Sequence, residues 1–146
     1  MIHEMPIRIL FVYGTLRLGS NHPMAHRLRA GGKLLGSGRT SGVLYDLGVY
    51  PGATFGTGER GRVVGEVYAV RHGSRLIAEL DHYEGAPQDG EGEMYGLVQV
   101  KVELETGGAR SALSYALKRP PHWAKPVASG DWIAHTRARA ARPVRR

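Results

Sequence analysis

The chain has 146 residues, contains no cysteine and carries a formal net charge of +7 at pH 7. A chain of this length forms a single domain with its own core, and the lack of cysteine excludes disulfide bonds and thiolate chemistry. Since no apolar run approaches the roughly 20 residues that span a bilayer, and the N-terminus lacks a secretion signal, we expect a cytoplasmic protein without a membrane partner.

The positive charge is concentrated near the C-terminus. Residues 137–146 contain five arginines and no acid, so the preceding body carries a net charge of only +2. An end rich in alanine and arginine is typical of a solvated segment. We therefore predict one domain over residues 1–136 and a flexible basic tail over residues 137–146. Contact of this tail with RNA, DNA or an anionic surface is the alternative.

An apolar strand is predicted over residues 8–13, and it ends at Tyr13-Gly14. Glycine permits backbone conformations that other residues resist, so the chain can turn at Gly14. Thr15 and Leu16 follow, with a hydroxyl and successive backbone N–H groups. Donors grouped at a strand end can bind a carboxylate or a phosphate, which makes this loop a candidate anion site.

A short helix is predicted over residues 24–30. Asn21 stands where its N-cap would be, and Pro23 falls near its first turn. His22 and His26 are four residues apart and could lie together on this helix. No acidic or histidine partner nearby completes a metal-ligand set, so we expect no metal site.

The next glycine-rich stretch predicts strands. Residues 33–47 alternate apolar with small or polar residues and favour one or two bent strands, followed by a turn at residues 49–52. Residues 56–61 match the letters of the dinucleotide fingerprint, but a strand pattern follows over residues 63–70, where that fingerprint requires a helix. We therefore expect no nucleotide cofactor.

The second half predicts two helices and a β-hairpin. A helix over residues 74–83 precedes paired strands at residues 94–105 and 111–117, and a last helix begins near residue 130. Regular alternation of strands and helices is missing. The whole pattern predicts an α+β fold, namely a small mixed or antiparallel β-barrel of about six strands with two or three short helices.

Glu84 is the candidate for acid–base chemistry. Without cysteine, a metal set or a Gly-x-Ser-x-Gly motif, the common nucleophiles are missing or unsupported. Glu84 ends the helix predicted over residues 74–83, where the helix dipole and apolar neighbours would raise the pKa of its carboxyl. Such a group can accept and return a proton near neutral pH. The alternative is a solvated glutamate beside the helix-ending Gly85.

Two stretches together resemble the gamma-glutamylcyclotransferase-like family, which includes the AIG2-like proteins. They are Tyr13-Gly14-Thr15-Leu16 and Leu80-Asp81-x-x-Glu84-Gly85. Shorter motifs extend the resemblance over residues 9–133, most of the chain. These motifs are Tyr50-Pro51-Gly52, Val64-Gly65-Glu66-Val67-Tyr68, Met94-Tyr95 and Ser114-Tyr115.

The resemblance implies an α+β barrel with a cavity at one mouth and a small gamma-glutamyl substrate, without a cofactor or metal. The loop from Tyr13 to Leu16 would hold the α-carboxylate and amino end of the substrate, and Glu84 would be the general acid and base. The substrate's own α-amine would attack its γ-carbonyl, forming 5-oxoproline and a free amine. We expect a monomer or a weak homodimer.

The resemblance also implies a set of substrate-binding residues. These are Tyr13, Gly14, Thr15, Leu16, Tyr95 and Tyr115. Tyr95 is either a hydrogen-bond donor in the cavity or a strand aromatic, and for Tyr115 a structural role is favoured. Arg17 is close enough to the loop to assist an anion, but we interpret it as a surface arginine. Many relatives carry an arginine shortly after the tyrosine that matches Tyr95, whereas this chain has Gly96-Leu97, so the leaving amine stays open.

A non-catalytic binding module on the same fold is the alternative function, with the arginine tail as a contact for nucleic acid. Glu84 and the loop at Tyr13 together favour the enzyme, because a simple binding pocket needs no acid–base carboxylate.

Overall fold

The computed structural model describes residues 7–17, 22–48, 50–56, 61–71 and 95–141. The helix predicted over residues 74–83 lies outside the described residues, as do Asn21 and Glu84. Within the described ranges the elements are, in chain order, β1 (Ile7–Val12), α1 (Pro23–Gly31), β2 (Lys33–Asp46), β3 (Pro51–Phe55), β4 (Arg62–Arg71), β5 (Tyr95–Leu104), β6 (Ala109–Leu117), β7 (Lys125–Pro126) and α2 (Trp132–Ala141).

Five strands form a closed barrel in the order β2-β4-β1-β6-β5. β5 returns to β2 through the pairs Gly38–Leu104 and Arg39–Glu103, which closes the barrel. β1 and β6 run parallel, whereas the other neighbouring strands are antiparallel. β3 and β7 pair with β2 outside this ring. The α+β barrel predicted from the sequence is therefore confirmed.

The long strand β2 is shaped by its glycines. A Cβ atom at Gly38 would lie 2.5 Å from the Glu103 carbonyl oxygen, so only glycine lets β2 approach β5 at the closure. The β2–β4 register shifts between Leu34 and Gly36, and the positive φ of 147° at Gly36 accommodates this bulge. The bend allows one 14-residue strand to pair with several neighbours, where the sequence predicted one or two strands.

Two apolar clusters stabilise the barrel. The larger one takes side chains from all six strands β1 to β6 and from Trp132 of α2. The smaller one lies beneath α1, where Leu28 packs with Leu16 and with side chains of β1 and β4. Tyr13 belongs to the larger cluster and Leu16 to the smaller one. The chain therefore passes from one core to the other within the loop that follows β1.

Two local predictions differ from the structure. Pro51 and Gly52, predicted as part of a turn, open β3 and pair with the end of β2. Proline is tolerated at the first position of a strand, so it does not prevent pairing there. The N-cap of α1 is His22 rather than Asn21, because its Nδ1 accepts the Met24 N–H at 3.1 Å.

The last helix extends further into the basic segment than expected. The flexible tail was predicted from residue 137, but α2 continues to Ala141. Arg139 fixes this part of the helix because its Nη1 donates to Asp46 Oδ2 and to the Gly48 carbonyl oxygen, each at 3.0 Å. Residues 137–141 therefore belong to the helix and not to a flexible tail. In the described part of the chain, no helix has the length and hydropathy needed to cross a membrane.

Candidate active site

The loop after β1 forms a tight turn. The Arg17 N–H donates to the Gly14 carbonyl oxygen at 3.0 Å and closes the turn. Thr15 and Leu16 are the central residues of this turn. Leu16 is 3% exposed and packs into the smaller core, which anchors the turn from below.

A close contact explains the glycine at position 14. A Cβ atom there would lie 2.6 Å from Pro51 Cγ. Gly14 is not among the glycines with positive φ in the described residues, so the conformational freedom expected from the sequence is not what selects it. Glycine is needed because the loop must lie directly against the first residue of β3.

Tyr13 joins three strands through its hydroxyl group. It donates to the Tyr115 carbonyl oxygen at 2.6 Å and accepts the Ala53 N–H at 3.2 Å. Its ring packs edge-to-face against Phe55, with the ring centroids 5.9 Å apart. The side chain is 6% exposed. Tyr13 therefore fixes the end of β1 against β3 and β6.

Tyr95 makes a similar contact from the start of β5. Its hydroxyl donates to the Pro51 carbonyl oxygen at 2.7 Å. Tyr115, on β6, is buried and provides the carbonyl acceptor for Tyr13. The structure therefore brings Tyr13, Gly14, Tyr95 and Tyr115 together around the first residues of β3, while Thr15 and Leu16 continue from the same loop.

Arg17 is part of a partly buried ion cluster, so its interpretation as a surface arginine is wrong. Its Nε donates to Glu66 Oε2 at 2.8 Å and its Nη1 to Asp131 Oδ1 at 2.6 Å. The side chains of Arg17 and Glu66 are 12% and 4% exposed. We call these three residues the Arg17 cluster. It connects the loop to β4 and to the residue that precedes α2.

Asp131 also caps α2. Its Oδ1 accepts the Ala134 N–H at 3.1 Å, as an N-cap carboxylate does. Burial raises the pKa of Asp131, but the Ala134 N–H and Arg17 outweigh it and hold that pKa below its ordinary value. Burial likewise lowers the pKa of Arg17, but Glu66 and Asp131 outweigh it and hold that pKa above its ordinary value. Arg17 and Asp131 therefore keep their charges at neutral pH.

Sequence reasoning missed the Arg17 cluster, although one signal for it is present. Glu66 is an acid in the middle of the apolar β4, and a buried carboxylate requires a partner. Its partners come from distant parts of the chain, so the pairing itself is not visible in a local pattern. Glu84 lies outside the described residues, and its role stays a prediction.

The geometry of the loop suits anion binding. Its turn is held by Pro51 on one side, by the smaller core below and by the Arg17 cluster at its C-terminal end. Backbone N–H groups in a fixed turn are donors that need no reorganisation when an anion binds. The arrangement can therefore hold a carboxylate through the main chain.

Comparison with known proteins assigns the family. The model of the family described as "Gamma-glutamyl cyclotransferase, AIG2-like" matches residues 10–134, and the chain belongs to this family. A gamma-glutamylcyclotransferase family protein of Escherichia coli K12, YtfP, is 35% identical over 127 residues, which cover 85% of this chain and 95% of that protein.

Solved structures share the fold, and one of them is an AIG2-like protein. The crystal structure of YkqA from Bacillus subtilis superposes with a TM-score of 0.71 and 28% identity, covering 94% of this chain but only 44% of YkqA. An AIG2-like protein from Mus musculus gives a TM-score of 0.64 and 25% identity, covering 80% of this chain and 82% of that one. The resemblance to the gamma-glutamylcyclotransferase-like family is therefore confirmed.

Proposed function

We propose that the protein is a gamma-glutamyl cyclotransferase, which converts a gamma-glutamyl amine into 5-oxoproline and the free amine. The observation that carries this proposal is family membership over residues 10–134, a range that includes both the loop at Tyr13 and Glu84. The fixed turn from Gly14 to Arg17 supports it, because this loop is where the substrate's carboxylate would bind.

In this reaction the substrate supplies its own nucleophile. The N–H groups of the loop would hold the α-carboxylate and place the α-amine next to the γ-carbonyl carbon. Attack of this amine forms the five-membered ring, and collapse of the tetrahedral intermediate breaks the bond to the leaving amine. Holding two reacting groups of one molecule in contact removes much of the entropic barrier, so positioning alone supplies a large part of the rate.

Glu84 would transfer the protons. The ring nitrogen begins as an ammonium group with three protons and ends as a lactam N–H with one. The leaving nitrogen begins as an amide N–H and ends as an ammonium group, so it gains the two protons that the ring nitrogen loses. One carboxylate that accepts and returns a proton twice completes the cycle and recovers its starting state.

The tyrosines would shape the substrate cavity. The hydroxyl protons of Tyr13 and Tyr95 are donated to backbone carbonyls. We therefore propose that these side chains, with Tyr115, form the wall that faces the substrate, and that donors for the anionic groups come from the main chain.

The proposal is tested by measuring 5-oxoproline release from a panel of gamma-glutamyl peptides and gamma-glutamyl amines. We expect the wild type to turn over at least one member and Glu84→Gln to lose about a thousandfold in kcat. Glu105→Gln, in the exposed turn after β5, is the matched control and should stay within about twofold of wild type. Absence of turnover across the panel, or an active Glu84→Gln variant, would contradict the proposal and favour the binding module.

A further inference from the structure

We infer that Arg17 is a positioning residue for the substrate loop, acting through Glu66 and Asp131, and that it does not itself bind the substrate's carboxylate. The inference rests on the proposed function and deepens it, because it assigns anion recognition to the main chain of the loop. It starts from a juxtaposition of three distant segments: the loop after β1, the middle of β4 and the N-cap of α2.

The guanidinium group of Arg17 is already paired with two carboxylates. Two different nitrogens contact two different carboxylates, Nε with Glu66 at 2.8 Å and Nη1 with Asp131 at 2.6 Å. A guanidinium group that already faces two carboxylates is a poor receptor for a third, since its charge is compensated. The same fork geometry is effective as a clamp between two elements.

Arg17 links the cluster to the turn of the substrate loop. The N–H of Arg17 closes the turn on Gly14, while its side chain is fixed in the cluster. Any movement of the guanidinium group is therefore transmitted to the adjacent Thr15 and Leu16, whose N–H groups are the proposed donors. The other end of the loop is fixed by Tyr13 and Gly14 against β3 and β6. The Arg17 cluster thus sets the position of the C-terminal half of the loop.

Both contacts of Asp131 use one oxygen, Oδ1, which accepts from Arg17 and from the Ala134 N–H. Asparagine is as good an N-cap as aspartate, so Asp131→Asn keeps this acceptor and the cap and removes only the negative charge that faces Arg17. Arg17→Lys keeps the positive charge but offers one nitrogen, which cannot replace both Nε and Nη1. The control is Asp46→Asn, which removes the charge of a carboxylate whose hydrogen-bond partners are the Gly48 N–H and the side chains of His135 and Arg139.

The test is a double-mutant cycle on the substrate that the wild type turns over best. We expect Arg17→Lys and Asp131→Asn each to lower kcat/KM by about 10- to 100-fold, mainly through KM, because the loop donors are displaced. The double variant should be no worse than the more severe single variant, since both weaken the same contact between Arg17 and Asp131. Asp46→Asn should stay within about twofold. A normal Asp131→Asn beside an impaired Arg17→Lys would overturn the inference, because Arg17 would then contact substrate directly.

Amide hydrogen exchange without substrate separates failure of the inference from failure of the proposed function. The main-chain N–H of residue 17 is protected by its hydrogen bond to the Gly14 carbonyl oxygen. Its exchange rate should rise about tenfold in Arg17→Lys and Asp131→Asn and should not change in Asp46→Asn. Unchanged exchange in the first two variants would overturn the inference. If the wild type releases no 5-oxoproline but exchange responds as expected, the positioning role is supported and the proposed reaction alone fails.

Discussion

Two ion clusters lie on α2, and they differ in burial and in the number of carboxylates. The Arg17 cluster places two carboxylates on one guanidinium group, and in it the side chains of Arg17 and Glu66 are 12% and 4% exposed, while that of Asp131 is 29% exposed. The second, which we call the Asp46 cluster, places His135 Nε2 at 2.7 Å and Arg139 Nη1 at 3.0 Å from Asp46 Oδ2. In it the side chains of His135 and Arg139 are 30% and 44% exposed.

Because they differ in burial, the two clusters contribute differently to stability. Water and salt screen an exposed pair, so the Asp46 cluster contributes little to stability beyond the stacking of Arg139 on Trp132 at 5.5 Å. A buried pair is expensive to break, because the partner that remains is an uncompensated charge. The N-terminus of α2 is therefore held next to the candidate substrate loop by a largely buried guanidinium group, and its later part is held by the more exposed Arg139.

The largest expected effect compares one arginine from each cluster. Arg17→Met leaves Glu66 buried without its guanidinium partner and should lower the free energy of unfolding by about 3 kcal/mol or more. Arg139→Met removes a half-exposed pair and should cost about 1 kcal/mol. Urea denaturation of both variants measures the difference. Equal losses would show that the distinction between the clusters is wrong.

A second change tests the contact between Gly14 and Pro51, which links the two clusters. The Gly14 carbonyl oxygen accepts the Arg17 N–H, and Pro51 pairs with Asp46 in the β2–β3 register. Gly14→Ala introduces a Cβ at 2.6 Å from Pro51 Cγ and should cost about 2 kcal/mol, with a loss of substrate affinity. Gly96→Ala is the matched control, because its Cβ would meet only the flexible Lys118 side chain at 3.2 Å. Thermal unfolding and KM of both variants check this expectation, and a Gly14→Ala variant that behaves like the control contradicts it.

The smallest expected effect is the dependence of stability on pH. Burial raises the pKa of Asp46, but His135, the Gly48 N–H and Arg139 outweigh it and hold that pKa below its ordinary value, as Ala134 and Arg17 do for Asp131. The unfolded chain therefore takes up protons at higher pH than the folded chain. The stabilisation is present above the ordinary carboxyl pKa of about 3.9 and is lost as pH falls through the lowered values.

Thermal unfolding between about pH 5 and pH 2 measures this loss. Asp131→Asn should reduce the dependence of Tm on pH more than Asp46→Asn does, because Asp131 faces the more buried guanidinium group. The reverse order would indicate that the Asp46 cluster is the stronger one.

The sequence predicted those parts of the fold that depend on local patterns. The hairpin of β5 and β6 follows from alternation on both sides of Gly107 and Gly108, whose φ angles are positive at 102° and 81°. The start of β3 at Pro51 was missed, because proline favours a turn unless a neighbouring strand accepts it. The sequence predicted a barrel, but it did not show why position 38 must be glycine. That requirement comes from the close approach of β2 to β5, a strand much later in the chain.

The candidate site was predicted less completely than the fold. The loop from Tyr13 to Leu16 is a contiguous motif and was found. The partners of Arg17 lie 49 and 114 positions away, so periodicity and neighbouring residues cannot reveal them. Only tertiary structure shows that this arginine is a clamp and not an exposed side chain.

The measurement that tests the account most directly is the identity of the product formed by the wild type from a gamma-glutamyl amine and from its N-acetylated analogue. Intramolecular attack predicts equal amounts of 5-oxoproline and free amine from the first substrate. It predicts no product from the second, because acetylation removes the nucleophile. Release of glutamate, or turnover of the acetylated analogue, would mean that water attacks the γ-carbonyl, and it would contradict the cyclotransferase reaction.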